Sequence, residues 1–301
     1  MDRFHLMTVF LAVAEEESFA GAARRLGLSP PAVTRAIAEL EERLGVRLLT
    51  RTTRVVRVTE AGASYLDDCR RILQDVKEAD ESAAGLAAMP RGQLNVTAPV
   101  LFGRLFVLPT LLDYLVEYPE VNANAVFLDR VVNLVDEGFD VAVRIGELPD
   151  SSLRAVRVGQ VRRVVCGAPG YFERHGWPQH PDDLGQHRIV MASGISLQPE
   201  WTFFPKAGEK GVSYRVKPRL VINVNDGAAQ AASAGWGVTR LLSYQIAPQL
   251  ERGELVTVLE EFEAPPLPVH IVHREGRRPA AKVRAFIDLL AGRLREEAVL
   301  R

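Results

Sequence analysis

The chain has 301 residues, 47% of them hydrophobic and 25% charged, with a formal net charge of −1. That length calls for two or three globular domains, and the charge balance excludes a global polycation, so any nucleic-acid contact must use a local basic surface. Cys69 and Cys166 have no metal-ligand spacing and make no disulfide framework, which fits a reducing cytoplasm, and no apolar run reaches the roughly 18 residues of a membrane span.

Phe4, Leu6, Met7, Phe10, Leu11 and Ala14 recur at helical spacing and predict a first helix. The acids Glu15, Glu16 and Glu17 that follow it argue against a secretion signal. Ser18 caps a second helix, Phe19 to Leu26, and Gly27 ends it. Ser29 is the N-cap of a third helix, with Pro30 and Pro31 in its first turn. N–H groups there have no intrahelical acceptor, so the prolines forfeit nothing.

Val33, Ile37, Leu40 and Leu44 form the apolar stripe of this third helix. The opposite face carries Pro31, Thr34, Arg35 and Ala38, with no acid before Glu39. Short side chains, apolar contacts for thymine methyls and one long donor suit entry into a DNA major groove. Taken alone, the helix also reads as a surface helix that happens to carry small residues. The next stretch favours DNA: Arg43, Arg47, Arg51, Arg54 and Arg57 occur without an acid among them. Leu48 to Thr50 and Val55 to Val58 predict two short strands around Arg51-Thr52-Thr53-Arg54, a basic hairpin suited to phosphate and minor-groove contacts.

Thr59 caps a long helix. Tyr65, Cys69, Ile72, Val76, Ala79, Ala83 and Leu86 step by 4 and 3 alternately, a heptad seam. The seam serves either packing on its own domain or dimerisation. From Tyr65 to Leu86 the helix spans about 30 Å, compatible with two recognition helices about 34 Å apart. Cys69 on this seam reads as a small buried hydrophobe rather than a redox sensor. Residues 89–93 (Met89-Pro90-Arg91-Gly92-Gln93) read as a hinge.

From Leu94 onward strands and helices alternate. Strands are predicted over 94–98, 121–127, 139–145, 161–166, 221–224, 238–239 and 269–272. Helices are predicted over 101–116, 169–175, 226–234 and 279–297. This pattern predicts an α/β fold with largely parallel sheets, whose ligands bind outside the carboxyl ends of strands. His270 and His273 fall on a strand without an acidic partner nearby, and there is no nucleophile elbow, phosphate loop or dinucleotide fingerprint. The expectation is a protein that is not an enzyme and needs neither cofactor nor metal. The competing class is a solute-binding protein or enzyme with a helical N-terminal extension.

Over its whole length the chain resembles the LysR-type transcriptional regulators. The residues that carry the resemblance are Ser18-Phe19, Ala22-Ala23-Arg24-Arg25-Leu26, Leu28 to Arg35, Leu40 to Leu48, Arg51 to Arg54 and Thr59-Glu60-Ala61-Gly62. The resemblance implies a winged helix-turn-helix (1–59), a linker helix that dimerises (60–88), the hinge (89–93) and an effector-binding domain (94–301). That domain resembles type 2 periplasmic-binding proteins, with subdomain I at 94–163 plus 268–301 and subdomain II at 164–267. The crossings between them are expected at Val164-Val165 and at Pro266-Leu267-Pro268.

The resemblance further implies a cytoplasmic homodimer or homotetramer on an interrupted palindrome near a promoter, a small-molecule effector in a cleft, and RNA polymerase as a partner. Ser29, Pro30, Pro31, Thr34, Arg35, Arg51, Thr52 and Arg54 are the expected DNA-binding residues. Pro99, Val100, Leu101, Arg144, Gly146, Trp201, Asn225 and Asp226 are the expected effector site. Arg144 either captures an effector carboxylate or makes an ion pair with Glu147 or Asp140, and Trp201 either lines the cleft or belongs to the core. Three positions depart from the family pattern: Pro30 stands where a base-reading glutamine is common, Pro99-Val100-Leu101 where hydroxyl side chains are common, and Glu17 where glycine is frequent.

Overall fold

A computed structural model describes residues 2–51, 56–83, 89–148, 153–193, 199–205, 210–274 and 280–301. It divides into two compact units, Met1–Ala88 and Met89–Arg301.

The first unit is built from α1 (Arg3–Glu16), α2 (Phe19–Leu26), α3 (Pro30–Leu44), β1 (Leu49–Arg51), β2 (Val56–Val58) and α4 (Glu60–Ala83). Its core joins Leu6, Val9, Phe10 and Val13 of α1 to Ala22 and Ala23 of α2 and to Val33, Ile37 and Leu40 of α3. The caps fall where the side chains dictate. Ser18 Oγ accepts from Gly21 N, and Ser29 Oγ accepts from Ala32 N at 3.4 Å, with Pro30 and Pro31 opening α3. The turn after α1 places Glu17 at φ +48°, the left-handed region that favours glycine.

β1 and β2 pair antiparallel, Leu49 opposite Val58 and Arg51 opposite Val56, as a winged hairpin. Thr59 Oγ1 then accepts from Gly62 N and donates to Arg47 O, which caps α4 and ties it to the wing. A Cβ at Gly62 would lie 2.1 Å from the carbonyl oxygen of Leu48, so only glycine lets helix and strand approach this closely.

The seam of α4 packs in part on its own unit. Cys69 is fully buried inside this unit's own core, and Tyr65 and Ile72 pack against the same cluster. The Tyr65 ring lies 5.7 Å from that of Phe10 on α1. Cys69 is thus a core residue of the protomer, and Tyr65 and Ile72 are half-buried beside it. Val76 is half-buried. The side chains of Ala79 and Ala83, and all of Leu86, lie outside the described residues.

The second unit contains two five-stranded sheets. Subdomain I holds β3 (Gly92–Ala98), α5 (Val100–Phe102), a π-helical turn (Gly103–Val107), α6 (Leu108–Glu117), β4 (Val121–Phe127), β5 (Val141–Ile145) and β6 (Leu153–Val161). Subdomain II holds β7 (Arg163–Gly167), α7 (Pro169–His175), β8 (Ile189–Ala192), β9 (Glu200–Phe203), β10 (Val212–Arg215), β11 (Pro218–Ile222), α8 (Asn225–Ser233), β12 (Val238–Leu242), α9 (Ser243–Glu251) and β13 (Val256–Val258). β14 (Leu267–Arg274) and α10 (Ala281–Glu296) return to subdomain I.

The strand orders are β4-β3-β5-β14-β6 and β11-β8-β12-β7-β13. In each sheet the first three strands run parallel and the last two join antiparallel. The sheets are therefore mixed, not largely parallel, because β6–β7 and β13–β14 each leave one sheet and enter the other. The crossings lie near the expected places: the chain crosses at Arg162, just before Val164 and Val165 in β7, and Leu267 and Pro268 open β14. Gly92 and Gln93 pair with β4 rather than forming part of a hinge.

The core of subdomain I packs Phe102, Leu111 and Tyr114 against Val96, Val143, Ile271 and Phe286. Leu242 and Tyr244, from the β12–α9 junction, belong to this same core. Tyr244 meets Phe102 edge-on at 5.3 Å. Among the described residues no helix is long and apolar enough to cross a membrane, and no three His, Cys, Asp or Glu side chains gather as a metal site.

Candidate DNA-binding and effector sites

In the first unit, α3 turns Val33, Ala36, Ile37 and Leu40 inward and leaves Ser29, Pro30, Pro31, Arg35 and Ala38 exposed, with Thr34 half-buried. Arg43, Arg47 and Arg57 are exposed as well. The backbone of Arg51 closes β1 opposite Val56. Its side chain, and the whole of Thr52 and Arg54, lie outside the described residues. Glu41 supplies a contact that sequence reasoning missed. From the last turn of α3 its Oε1 accepts from the N–H groups of Leu48 and Leu49, at 2.8 and 3.0 Å. One carboxylate thereby fixes the wing's first strand to the helix beside it.

In the second unit a cavity of roughly 270 Å³ opens at the carboxyl ends of β8 and β12, where α8 and α9 begin. This is where ligands bind in folds of this class. Met191 and Ala192 end β8, Leu241 and Leu242 end β12, and β9 contributes Glu200, Trp201 and Thr202. Asn225 and Gln245 bring side-chain amides from the starts of the two helices. Two cations complete the lining, Arg163 from β7 and Arg240 from β12.

Arg240 donates to the carbonyl of Thr202 at 3.1 Å and lies 5.2 Å from the centre of the Trp201 ring. Burial, reinforced by the nearby charge of Arg163, pushes its guanidinium down to about 9. Burial lowers Arg163 as well. Both shifts mark cations taken partly out of water without a compensating anion.

Of the expected effector residues, Trp201 and Asn225 line this cavity, and both are also well buried, at 5% exposure each. Trp201 thus satisfies both of its readings. Pro99, Val100, Leu101, Arg144 and Gly146 are not among the residues that line it. The Val100 N–H donates to Asp129 Oδ1 at 3.0 Å. Arg144 donates to the carbonyl of Val132 at 2.6 Å. Burial lowers the Arg144 guanidinium, and Glu137 opposes that shift. Gly146, at φ +114°, turns the chain at the end of β5, where its N–H reaches Pro268 O. Asp226 pairs with Arg104 at 3.2 Å, across from subdomain I. The sequence did carry a signal for Arg240, a charge inside the apolar run Val238 to Leu242.

Two family models match the chain. The bacterial regulatory helix-turn-helix of the lysR family matches residues 4–63, and the LysR substrate binding domain matches residues 87–295. The chain belongs to the LysR family.

An HTH-type transcriptional regulator of Xanthomonas campestris is 35% identical over 96% of this chain and 85% of its own length. The HTH-type transcriptional activator AaeR of Escherichia coli is 32% identical over 96% of this chain and 93% of its own. The crystallised LysR-type regulator CrgA of Neisseria meningitidis superposes with a TM-score of 0.61 at 28% identity, over 96% of this chain and 98% of CrgA. The protein is accordingly a LysR-type, ligand-responsive, DNA-binding transcriptional regulator and not a member of an enzyme family. LysR-type regulators bind DNA and small-molecule effectors and form oligomers. The alternative of a solute-binding protein or enzyme with an added helix is set aside.

Proposed function

We propose that this LysR-type regulator acts in the cytoplasm as a homodimer or homotetramer on an interrupted palindrome. Pro31, Thr34 and Arg35 face the major groove, Arg51, Thr52 and Arg54 hold the backbone, and Ser29 and Pro30 set the entry of the helix. The single observation that carries this reading is the exposed outer face of α3, free of acids before Glu39, beside a basic wing tethered by Glu41. Pairing belongs to the seam of α4, Tyr65, Cys69, Ile72, Val76, Ala79, Ala83 and Leu86, of which Cys69 is also taken up by the protomer's own core. The effector is a small carboxylate, now read from the arginines of the subdomain II cavity rather than from Arg144. RNA polymerase is the further partner, as befits a relative of a protein named an activator.

A gel shift with the DNA flanking the protein's own gene, followed by selection from random duplexes, tests the reading. A selected motif with two inverted half-sites is the expected result. No retarded complex at any salt concentration, or a motif with one half-site, sinks it.

A further inference from the structure

The cavity of subdomain II has a charge arrangement that limits what can fill it. β7 and β12 pair antiparallel with Arg163 opposite Leu242 and Val165 opposite Arg240. Arg163 and Arg240 are therefore diagonal neighbours on one face of the sheet, within reach of a common partner. Among the described residues Arg240 donates one hydrogen bond, to the Thr202 carbonyl, and most of its five N–H donors have no partner there. Its ring contact with Trp201 holds the guanidinium plane in place. Among the described residues no carboxylate lies within ion-pair distance of either arginine. Two like charges beside each other and partly desolvated are unfavourable unless an anion neutralises them, and the planar fork of arginine matches a carboxylate.

The rest of the lining mixes the apolar Met191 and Trp201 with Thr202 and the amides of Asn225 and Gln245. The one acid of the lining is Glu200, which is exposed. A second anionic group on the ligand would meet Glu200. The volume, just below the roughly 300–1,000 Å³ of drug-sized sites, suits a small molecule.

Building on the acidic effector proposed above, we infer that Arg163 and Arg240 form a two-arginine oxyanion site selective for small monocarboxylates with an apolar body. The carboxylate bridges the two guanidiniums, the body packs on Trp201 and Met191, and Glu200 discriminates against dicarboxylates.

Thermal shift and titration calorimetry on the full-length protein, without DNA, test this. The probes are benzoate, phenylacetate and 4-methylpentanoate, the neutral isostere benzamide, the dicarboxylate terephthalate and inorganic phosphate, all at millimolar concentration. At least one monocarboxylate raises the melting temperature, while benzamide and phosphate do not, and terephthalate binds at least tenfold more weakly than benzoate. R163Q and R240Q each weaken the binding monocarboxylate tenfold or more, and E200Q narrows the gap to terephthalate. R163Q leaves the Trp201 stack intact, so it serves if R240Q fails to fold.

Silence from every monocarboxylate overturns the inference, as does equal binding of benzamide or unchanged affinity in a folded R163Q. If terephthalate or phosphate binds best and R163Q removes that binding, monocarboxylate selectivity falls while an acidic effector stands. DNA binding by these variants is read separately, so loss of the operator reading has its own signature.

Discussion

Arg104, on the π-helical turn of subdomain I, and Asp226, in the first turn of α8 in subdomain II, form an ion pair 3.2 Å long. They are 122 residues apart in sequence, and the contact joins the two halves of the effector domain directly. Asp226 follows Asn225, which lines the cavity, so the pair stands next to the effector site. Both side chains are about half exposed, at 58% and 48%.

Exposed pairs contribute only about 0–1 kcal/mol. R104A should therefore leave global stability within about 1 kcal/mol of wild type in urea titration. It should speed amide exchange at the start of α8. The charge-swapped double variant R104D/D226R should restore wild-type exchange, whereas either single reversal should not. Unchanged exchange in R104A would show that the pair does not restrain α8.

Glu41 ties the recognition helix to the wing through the amides of Leu48 and Leu49, both buried residues. Hydrogen bonds to charged acceptors contribute about 1.5–3 kcal/mol each, and unsatisfied buried donors are costly. E41A is expected to destabilise the first unit by about 2–3 kcal/mol and to weaken DNA binding. E41Q keeps one acceptor oxygen and should recover part of both losses. Equal behaviour of the two variants in urea unfolding would refute the tether.

The DNA-facing residues divide by role. R51A should weaken binding to all sequences alike and lower the salt slope by about 0.9 for one lost phosphate contact. T34A should relax preference at one base pair of each half-site, by about 1–3 kcal/mol of discrimination. Salt titrations of affinity check the first, and repeated selection of binding sites checks the second.

Glu17 occupies a left-handed conformation at φ +48°, the region that favours glycine. E17G removes the steric cost and adds freedom to the unfolded chain, leaving a net gain of about 0.5–1 kcal/mol. A lower melting temperature for E17G would mean that the Glu17 side chain makes a compensating contact.

Burial pushes the Cys69 thiol up to about 11 and the Cys166 thiol up to about 12, from an ordinary 9.0. Between those values the unfolded chain loses thiol protons that the folded chain keeps, so stability falls as pH rises through that window. Neither cysteine should react with iodoacetamide at pH 8 in the folded protein, and both should react in denaturant. Rapid labelling of the native protein would contradict their burial.

The elements with strong local signals were legible in the sequence. Ser18, Gly27 and Ser29 placed the helix boundaries because caps act through their nearest neighbours, and the 3–4 spacing of Val33, Ile37 and Leu40 gave the buried face of α3. Partnership was less legible. The heptad steps of α4 fit a second protomer and α1 equally well, and only the fold shows Cys69 taken up by the latter. Strands β8, β9, β10 and β13 have three to four residues each, too short for periodicity to identify. Pro248 inside α9 concealed that helix. The effector site suffered most, since Arg163, Glu200 and Arg240 meet only through long-range strand pairing. Arg144, which stood out in the sequence, spends its charge on a backbone carbonyl.

The opening of α3 has a consequence for how DNA is gripped. Helix starts commonly hold phosphates through free backbone N–H groups. Here Pro30 and Pro31 have none, Ala32 N donates to Ser29, and Val33 N donates to the Ser29 carbonyl at 3.2 Å. The first turn of α3 therefore has no free N–H beyond its cap, and on the proposed reading this stiff apolar tip registers methyl groups and groove width while anchoring to phosphate falls to the arginines around it.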